Sequence, residues 1–120
     1  MVDRRSEAEV HPVCVTLDPG ICGFPCTIEA TRVEKRKVLV TIRDPECEHV
    51  QRLSESFNEI GLRDLFAPIS RNPVFISAER AGCHPSCPIP IAIMKAVEVA
   101  MGMALPRDVF IRFNDGEQGG

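Results

Sequence analysis

The sequence predicts an α+β fold, a two-layer sandwich in which two helices pack on one mostly antiparallel sheet. Three observations predict this class. Apolar and polar residues alternate along three segments of the N-terminal half, which is the pattern of half-buried strands. An amphipathic segment follows them, and a longer apolar segment opens on prolines, which suit the first turn of a helix. The expected order is β-β-β-α-β-α-β.

The first three strands are predicted from alternation with a period of two. The first runs from Val13 to Leu17, with Cys14 on its polar, solvent-facing side. The next two form an antiparallel hairpin that turns near Glu34-Lys35-Arg36. Their inward faces carry Cys26, Ile28 and Ala30 on one strand and Val38, Val40 and Ile42 on the other. We therefore expect a hairpin with one buried face.

The first helix is predicted to begin at Asp44-Pro45-Glu46, which combines a capping side chain, a proline and an acidic first turn. Its apolar stripe consists of Val50, Leu53, Phe57 and Ile60. Gly61 ends the helix, and His49 is expected on its exposed side. The short apolar run from Val74 to Ala78 is interpreted as a strand.

The second helix is predicted to begin at about Pro88, with Pro88 and Pro90 in its first turn and Cys87 near its N-cap, and to end near Gly102 and Pro106. Only Lys95 and Glu98 are charged between Pro88 and Leu105, so this helix should be mostly buried. After it, Val109, Ile111 and Phe113 alternate with Phe110 and Arg112. That alternation predicts a last strand.

The composition predicts a single domain over residues 1–120, with an ordered core from about 11 to 113 and loose polar termini. The chain has 120 residues, of which 44% are hydrophobic, and this suffices for one core. A net charge of −3 and the lack of Trp and Tyr argue against a nucleic-acid footprint. No apolar run is long enough to span a membrane, and the N-terminus lacks an apolar signal core. We therefore expect a cytoplasmic protein.

Six cysteines mark the chemistry of the chain: Cys14, Cys22, Cys26, Cys47, Cys83 and Cys87. In a cytosolic domain of this size, metal or redox use is favoured over disulfides. The segment Cys83-His84-Pro85-Ser86-Cys87-Pro88 runs directly into the second helix. Because a helix N-terminus is partly positive, we expect it to lower the pKa of both thiols in this segment.

Four of the cysteines fall where a loop meets a regular element, so they are predicted to converge as metal ligands: Cys22, Cys47, Cys83 and Cys87. Four thiolates suit an iron–sulfur cluster or zinc. The chain has no pair of CxxC knuckles, which favours the cluster slightly. Auxiliary ligands are His84, otherwise a loop histidine, and Cys26, otherwise a core residue. Cys22 and Cys47 also have plain structural interpretations, as turn and core residues.

Three functions remain open from the sequence. The leading hypothesis is a metal-binding accessory or electron-transfer protein that works with a protein partner. The second is thiol–disulfide chemistry at Cys83 and Cys87, although their spacing is wider than the usual CxxC. The third is a structural subunit or homodimer with merely buried cysteines, whose partner face would include Phe24, Leu39 and Phe110. No phosphate-binding, dinucleotide-binding or serine–histidine–acid motif identifies an enzyme.

The segments Gly20-Ile21-Cys22-Gly23-Phe24 and Cys83-His84-Pro85-Ser86-Cys87-Pro88-Ile89-Pro90 resemble those of a small family of uncharacterised prokaryotic proteins. The resemblance extends from about Leu17 to Ile111. It implies that Cys22, Cys47, Cys83 and Cys87 belong to one constellation, and that Cys14 and Cys26 lie outside it. It implies no substrate.

Overall fold

The computed structural model describes residues 12–22, 24–43 and 45–114, and these form one antiparallel sheet with helices packed on it. The strands are β1 (Val13–Leu17), β2 (Cys26–Glu34), β3 (Lys37–Arg43) and β4 (Glu59–Gly61). Each strand pairs with its neighbour in sequence, so the sheet is a meander in the order β1-β2-β3-β4. In the register, Val15 pairs with Ile28, Ile28 pairs with Ile42, and Val38 pairs with Ile60.

The helices of the described chain are α1 (Glu48–Ser56), α2 (Leu62–Leu65), α3 (Pro73–Ala81) and α4 (Ile89–Ala100). Two single 3₁₀ turns lie at Gly20–Cys22 and Ile69–Arg71. Helix α4 packs against β2 and β1, and α1 packs against α3. None of the helices in the described part of the chain is long and apolar enough to cross a membrane.

One face of the sheet is buried because apolar residues occupy every second position of β2 and β3. Ile28 and Val38 are fully buried, while their sequence neighbours on the other face are at least partly open to solvent. Helix α4 covers that face with Ile89, Ile93 and Val97, which recur at the spacing of one helix stripe. The core therefore lies between the sheet and α4, and α1 and α3 extend it at one end.

The predicted α+β class is confirmed, as are the first three strands, the hairpin and the buried helix after Pro88. The predicted start of the first helix was early, because α1 begins at Glu48 with Cys47 as its N-cap. Asp44, the predicted capping residue, lies outside the described residues. Helix α1 also ends early: the backbone at Phe57 is extended, and the chain turns into β4.

Two predicted strands were wrong. Residues 74–78 lie in helix α3, because Asn72 caps it, Pro73 occupies its first turn, and Gly82 ends it with a left-handed backbone. A short apolar run does not distinguish a strand from a buried helix, and here the capping residues decide. Residues 109–113 form no strand; they have no regular secondary structure and are exposed. The fourth strand of the sheet is Glu59–Gly61, which closes the β3 edge.

Replacing Asn72 with alanine is expected to lower the free energy of unfolding by about 1–3 kcal/mol. The buried Asn72 amide donates to the carbonyl of Asp64 at 2.8 Å and accepts from the amide of Val74 at 3.0 Å. Alanine leaves both backbone groups without this partner. Chemical denaturation measures the loss, and Asn58→Ala, at an exposed asparagine, is the matched control. Equal stabilities of the two variants would contradict this role of Asn72.

Candidate functional site

The loop between α3 and α4 has a fixed path because of how α3 ends. Gly82 has a left-handed backbone (φ 83°), and its amide donates to the carbonyl of Glu79. The amide of Cys83 donates back to the carbonyl of Ala78 at 2.9 Å, which completes a Schellman-type ending. A Cβ at position 82 would lie 2.9 Å from His49 Nδ1. Glycine therefore suits both the left-handed backbone and the lack of space beside His49. As a result, Cys83 leaves the helix in a defined direction.

The loop then turns tightly between its two cysteines. The amide of Cys87 donates to the carbonyl of His84 at 2.9 Å, and α4 begins two residues later. A side-chain hydrogen bond joins the thiols of Cys83 and Cys87. The turn thus brings the two thiols of the CxxxC segment into contact just before the buried helix.

Four cysteines from three separate parts of the chain line one pocket. Cys26 comes from the start of β2, Cys47 from the N-cap of α1, and Cys83 and Cys87 from the α3–α4 loop. We call these four residues the cysteine cluster. Apolar side chains, including Val50 and Ile89, form much of the remaining wall, together with Pro19, Phe24, Glu46, His49 and His84. The cavity among them is small, about 20 Å³.

The structure brings together three of the four predicted ligands and both auxiliary residues, Cys26 and His84. Cys47, Cys83 and Cys87 meet in the pocket as expected, and Cys26 joins them because its inward position on β2 faces the same space. Cys22 lies in the 3₁₀ turn Gly20–Cys22, but its side chain is not described. Cys14 is exposed on the other face of the sheet, as expected, with its sulfur 3.8 Å from Glu29 Oε2.

The cysteines with described side chains form no disulfide with one another. Within the described ranges, no three His, Cys, Asp or Glu side chains already surround a common point as metal ligands would. The cysteine cluster therefore lines a shared pocket without pointing at one centre. A cysteine sulfur moves by rotation about one side-chain bond, χ1, between staggered positions. Side-chain rotation is therefore the motion available for turning each sulfur toward a common ion.

Burial and mutual proximity keep two of these thiols protonated. Burial, together with the nearby thiols of Cys87 and Cys47, raises the pKa of Cys83 to about 11 against the opposing effect of Arg52. Burial, followed by the nearby Cys87, likewise raises the pKa of Cys26 to about 11. The prediction of an acidified Cys83 was therefore wrong. Cys83 precedes α4 by six residues, whereas the effect of a helix end is confined to the first turn.

His49 lies at the wall of the pocket, although the sequence placed it on the exposed side of α1. Arg52 Nε donates to the carbonyl of Ala81 at 3.2 Å, and its Nη2 lies 2.7 Å from His49 Nδ1. His49 Nδ1 also lies 3.1 Å from the carbonyl oxygen of Ala81, so this ring nitrogen contacts both a donor and an acceptor. His84 stands edge-on to His49, with 5.9 Å between ring centroids. The spacing of His49 to Leu53, one helical turn, is the signal that would have placed it inward.

The metal-free protein is expected to lose stability as the pH rises from about 9 to about 11. A pKa raised on folding, from 9.0 to about 11, means that the folded state holds the proton more tightly than the unfolded state. The stabilisation is thus fully present below about pH 9 and is lost progressively up to about pH 11. The free energy of unfolding falls over this range by at most about 2–3 kcal/mol per thiol. Denaturation across this range measures it. Cys26→Ala should flatten the pH profile, and an unchanged profile would contradict the raised pKa.

Comparison with known proteins places the chain in a family. The chain belongs to a family of unknown function, DUF6951, whose model matches residues 13–113. The match runs from the first residue of β1 to Phe113, so it contains the whole cysteine cluster. No curated protein and no solved structure matches the chain. The family resemblance expected from the sequence is confirmed. Because the function of the family is unknown, membership does not indicate an activity for the chain.

Proposed function

We propose that this member of a family without assigned activity binds one thiophilic metal ion through Cys26, Cys47, Cys83 and Cys87. A single observation carries the proposal: four thiols from three separate segments line the same small, largely apolar pocket. Chance burial of cysteines would not gather them from a strand, a helix start and a loop. Four cysteines are also the donor set of tetrahedral structural zinc sites.

The electrostatics of the cysteine cluster support the same proposal. A thiol binds metal as the thiolate, so a cation must displace the protons that Cys26 and Cys83 hold tightly in its absence. Four thiolates around Zn²⁺ carry a net charge of about −2. Arg52, which lowers the pKa of Cys83, and the positive end of α1 at Cys47 both offset that charge.

The size of the cavity favours an ion over a cluster. A volume of about 20 Å³ is close to what one ordered water needs. A single ion fits this space with small side-chain rotations, whereas the iron–sulfur cluster favoured by the sequence requires the walls to move apart. We therefore propose Zn²⁺ as the reference ion, with an iron–sulfur cluster as the alternative that metal and sulfide analysis distinguishes.

The proposed ion would tie together parts of the chain that are far apart in sequence. Its ligands connect β2, the start of α1 and the α3–α4 loop, so metal binding would hold α1, α3 and α4 in place against the sheet. A site with four protein ligands has no open position for a substrate. The role that follows is an accessory protein whose surface depends on the bound metal. A cytoplasmic location belongs to this proposal, because thiols remain reduced there.

The test is to purify the protein without oxygen and to measure metal, sulfide and the visible spectrum. Zn²⁺ is then titrated into the reduced, metal-free chain. We expect one ion per chain in the wild type and in the matched control Cys14→Ser, whose cysteine is exposed on the other face of the sheet. Unchanged Zn²⁺ binding when the whole cysteine cluster is replaced by serine would refute the proposal.

A second candidate, thiol–disulfide exchange at Cys83 and Cys87, has one observation in its favour. The two thiols are joined by a side-chain hydrogen bond, so they are close enough to approach a disulfide. The raised pKa of Cys83 counts against it, because the thiolate is the nucleophile. Alkylation rates against pH separate the candidates: a redox pair should contain one thiol that reacts quickly near neutral pH.

A further inference from the structure

The chain leaves the fold after α4 and continues as a largely apolar, exposed segment without helix or strand. Gly102 (φ 77°) ends the helix, with the amide of Met103 donating to the carbonyl of Glu98. We call residues 103–114 the C-terminal arm. Its apolar side chains are open to solvent, with exposed fractions of 58% at Val109, 67% at Phe110, 83% at Ile111 and 97% at Phe113. So many exposed apolar side chains in one segment are typical of a contact surface.

The exposed fractions show that the arm packs little against the core. The shape of the molecule agrees with this: a domain of this length has an expected radius of gyration of about 13–14 Å. The observed value is 15.7 Å, and the longest dimension is 59 Å against 31 and 28 Å for the other two. Residues 109–113 are β-branched or aromatic except for Arg112, a composition typical of strands, yet both faces of this segment are exposed. The segment therefore has the composition of a strand without a neighbouring strand.

The sheet offers one matching free edge. Strand β1 pairs with β2 on one side, and no strand of the described chain pairs with its other side. β1 has five residues, Val13–Leu17, none of them charged, and its inward side chains are only half-buried. The opposite edge of the sheet, β4, has three residues and carries Glu59, which is paired with Lys37. Length and charge both favour β1 as the acceptor of a strand.

We propose that residues 109–113 of one chain add as an antiparallel strand to β1 of a second copy, and that the second copy reciprocates. The result is a twofold dimer in which each sheet has five strands. An unpaired strand edge and an exposed apolar segment each promote uncontrolled association, and the exchange covers both. The six residues between the arm's start and Val109 span about 20 Å when extended, which allows the arm to reach a neighbouring molecule.

The register follows from matching the two five-residue segments. With Ile111 opposite Val15, Val109 faces Leu17 and Phe113 faces Val13, so the inward apolar face of the sheet continues. Arg112 then stands opposite Cys14, whose sulfur lies 3.8 Å from the Glu29 carboxylate. Glu29 already pairs with Arg43 at 3.0 Å, so Arg112 would add a second cation beside the same carboxylate. A parallel arrangement would place Phe110 opposite Cys14 and move Arg112 away from this carboxylate, so the antiparallel direction is the one that we test.

The exchange buries the side chains that continue the inward face of each sheet. Phe113 of each arm contributes about 150–250 Å², so the two arms supply about 300–500 Å² from this residue. Val109, Ile111 and the covered surface of β1 add to this, toward the roughly 1,200–2,000 Å² of a standard interface. Phe110 and Arg112 stand on the outward face and are not counted. An arm folded back on its own β1 would bury similar side chains, so the test must distinguish the two.

The experiment combines solution mass with a disulfide trap. Light scattering should give the wild type twice the mass of the chain. Under mild oxidation, Arg112→Cys should form a disulfide with Cys14 of another chain, seen as a dimer on a non-reducing denaturing gel. Phe110→Cys is the matched control, since it faces Thr16 in the proposed register. The double variant Cys14→Ser, Arg112→Cys should not form the trapped dimer.

Each other outcome contradicts the exchange. A trapped species with the mass of one chain would show that the arm closes on its own β1. Trapping by Phe110→Cys instead of Arg112→Cys would overturn the antiparallel register. The double variant Ile111→Asp, Phe113→Asp should be monomeric while keeping the far-ultraviolet spectrum of the wild type. A wild type that is monomeric at all concentrations, or a charged variant that remains dimeric, would refute the proposal.

Discussion

Replacing Cys83 with serine is expected to weaken Zn²⁺ binding by about 100- to 1,000-fold. A structural zinc site contributes about 10–16 kcal/mol, so one of four ligands accounts for about 2.5–4 kcal/mol. Serine keeps the size and the hydrogen-bonding capacity of the side chain but is a poor ligand for a soft metal. Cys83 lies in the centre of the cluster, since its pKa responds to Cys87, Cys47 and Arg52. Competition with a chromophoric chelator measures the change.

Two controls separate ligand loss from a loss of structure. Cys14→Ser should bind Zn²⁺ as the wild type does, because Cys14 is exposed on the other face of the sheet. The metal-free Cys83→Ser variant should unfold at nearly the same denaturant concentration as the metal-free wild type. A fall in affinity of less than tenfold in Cys83→Ser, with the fold intact, would exclude Cys83 as a ligand.

The apparent affinity for Zn²⁺ is expected to rise by at least about 100-fold per pH unit between about pH 6 and pH 8. Each thiol that is protonated in the metal-free protein releases one proton on binding. The pKa values of Cys26 and Cys83 are raised to about 11, so both thiols remain protonated throughout this range. Two released protons correspond to two logarithmic units of affinity per pH unit.

This pH dependence also distinguishes the observed environment from the one that the sequence predicted. Thiols acidified by a helix end would already be ionised near neutral pH, and the affinity would then change little. A titration series at constant ionic strength, with proton release measured in parallel, decides between them. Fewer than two protons released per ion at pH 7 would contradict the buried, protonated state of Cys26 and Cys83.

Much of the fold follows from local patterns in the sequence. Alternation along residues 13–17, 26–30 and 38–42 predicted three strands, because one buried face imposes a period of two. The apolar segment after Pro88 predicted α4 for the same kind of reason. The prediction of a strand at residues 74–78 was wrong because so short an apolar run fits a strand and a helix equally well. The capping residues Asn72 and Gly82 are what mark it as a helix. Strand β4 has only three residues, too few for a periodic signal.

The candidate site was predictable in part. Position at the junction of a loop and a regular element identified Cys47, Cys83 and Cys87, and these three meet in the pocket. Cys26 was predicted to be a core residue because it lies on the same strand face as Ile28. It is indeed buried, with 7% of its surface exposed. Only the packing of α1 and the α3–α4 loop against the start of β2 makes that core position part of the cluster. Such long-range contacts have no local signal.

The sign of the pKa shift at Cys83 was not predictable from the helix start alone. The sequence shows where a helix begins, and hence where its partial positive charge lies. It does not show how deeply the preceding loop is packed or which other thiols surround it. Burial and the neighbouring Cys87 and Cys47 dominate at this position, and both depend on the tertiary fold.

X-ray absorption by the zinc-loaded wild type tests the central claim most directly. If the cysteine cluster gathers around one ion, the spectrum should show four sulfur neighbours at about 2.3 Å and no light-atom ligand. Cys14→Ser should give the same spectrum, and Cys83→Ser should lose one sulfur. A first shell made mainly of nitrogen or oxygen at about 2.0 Å would contradict the account.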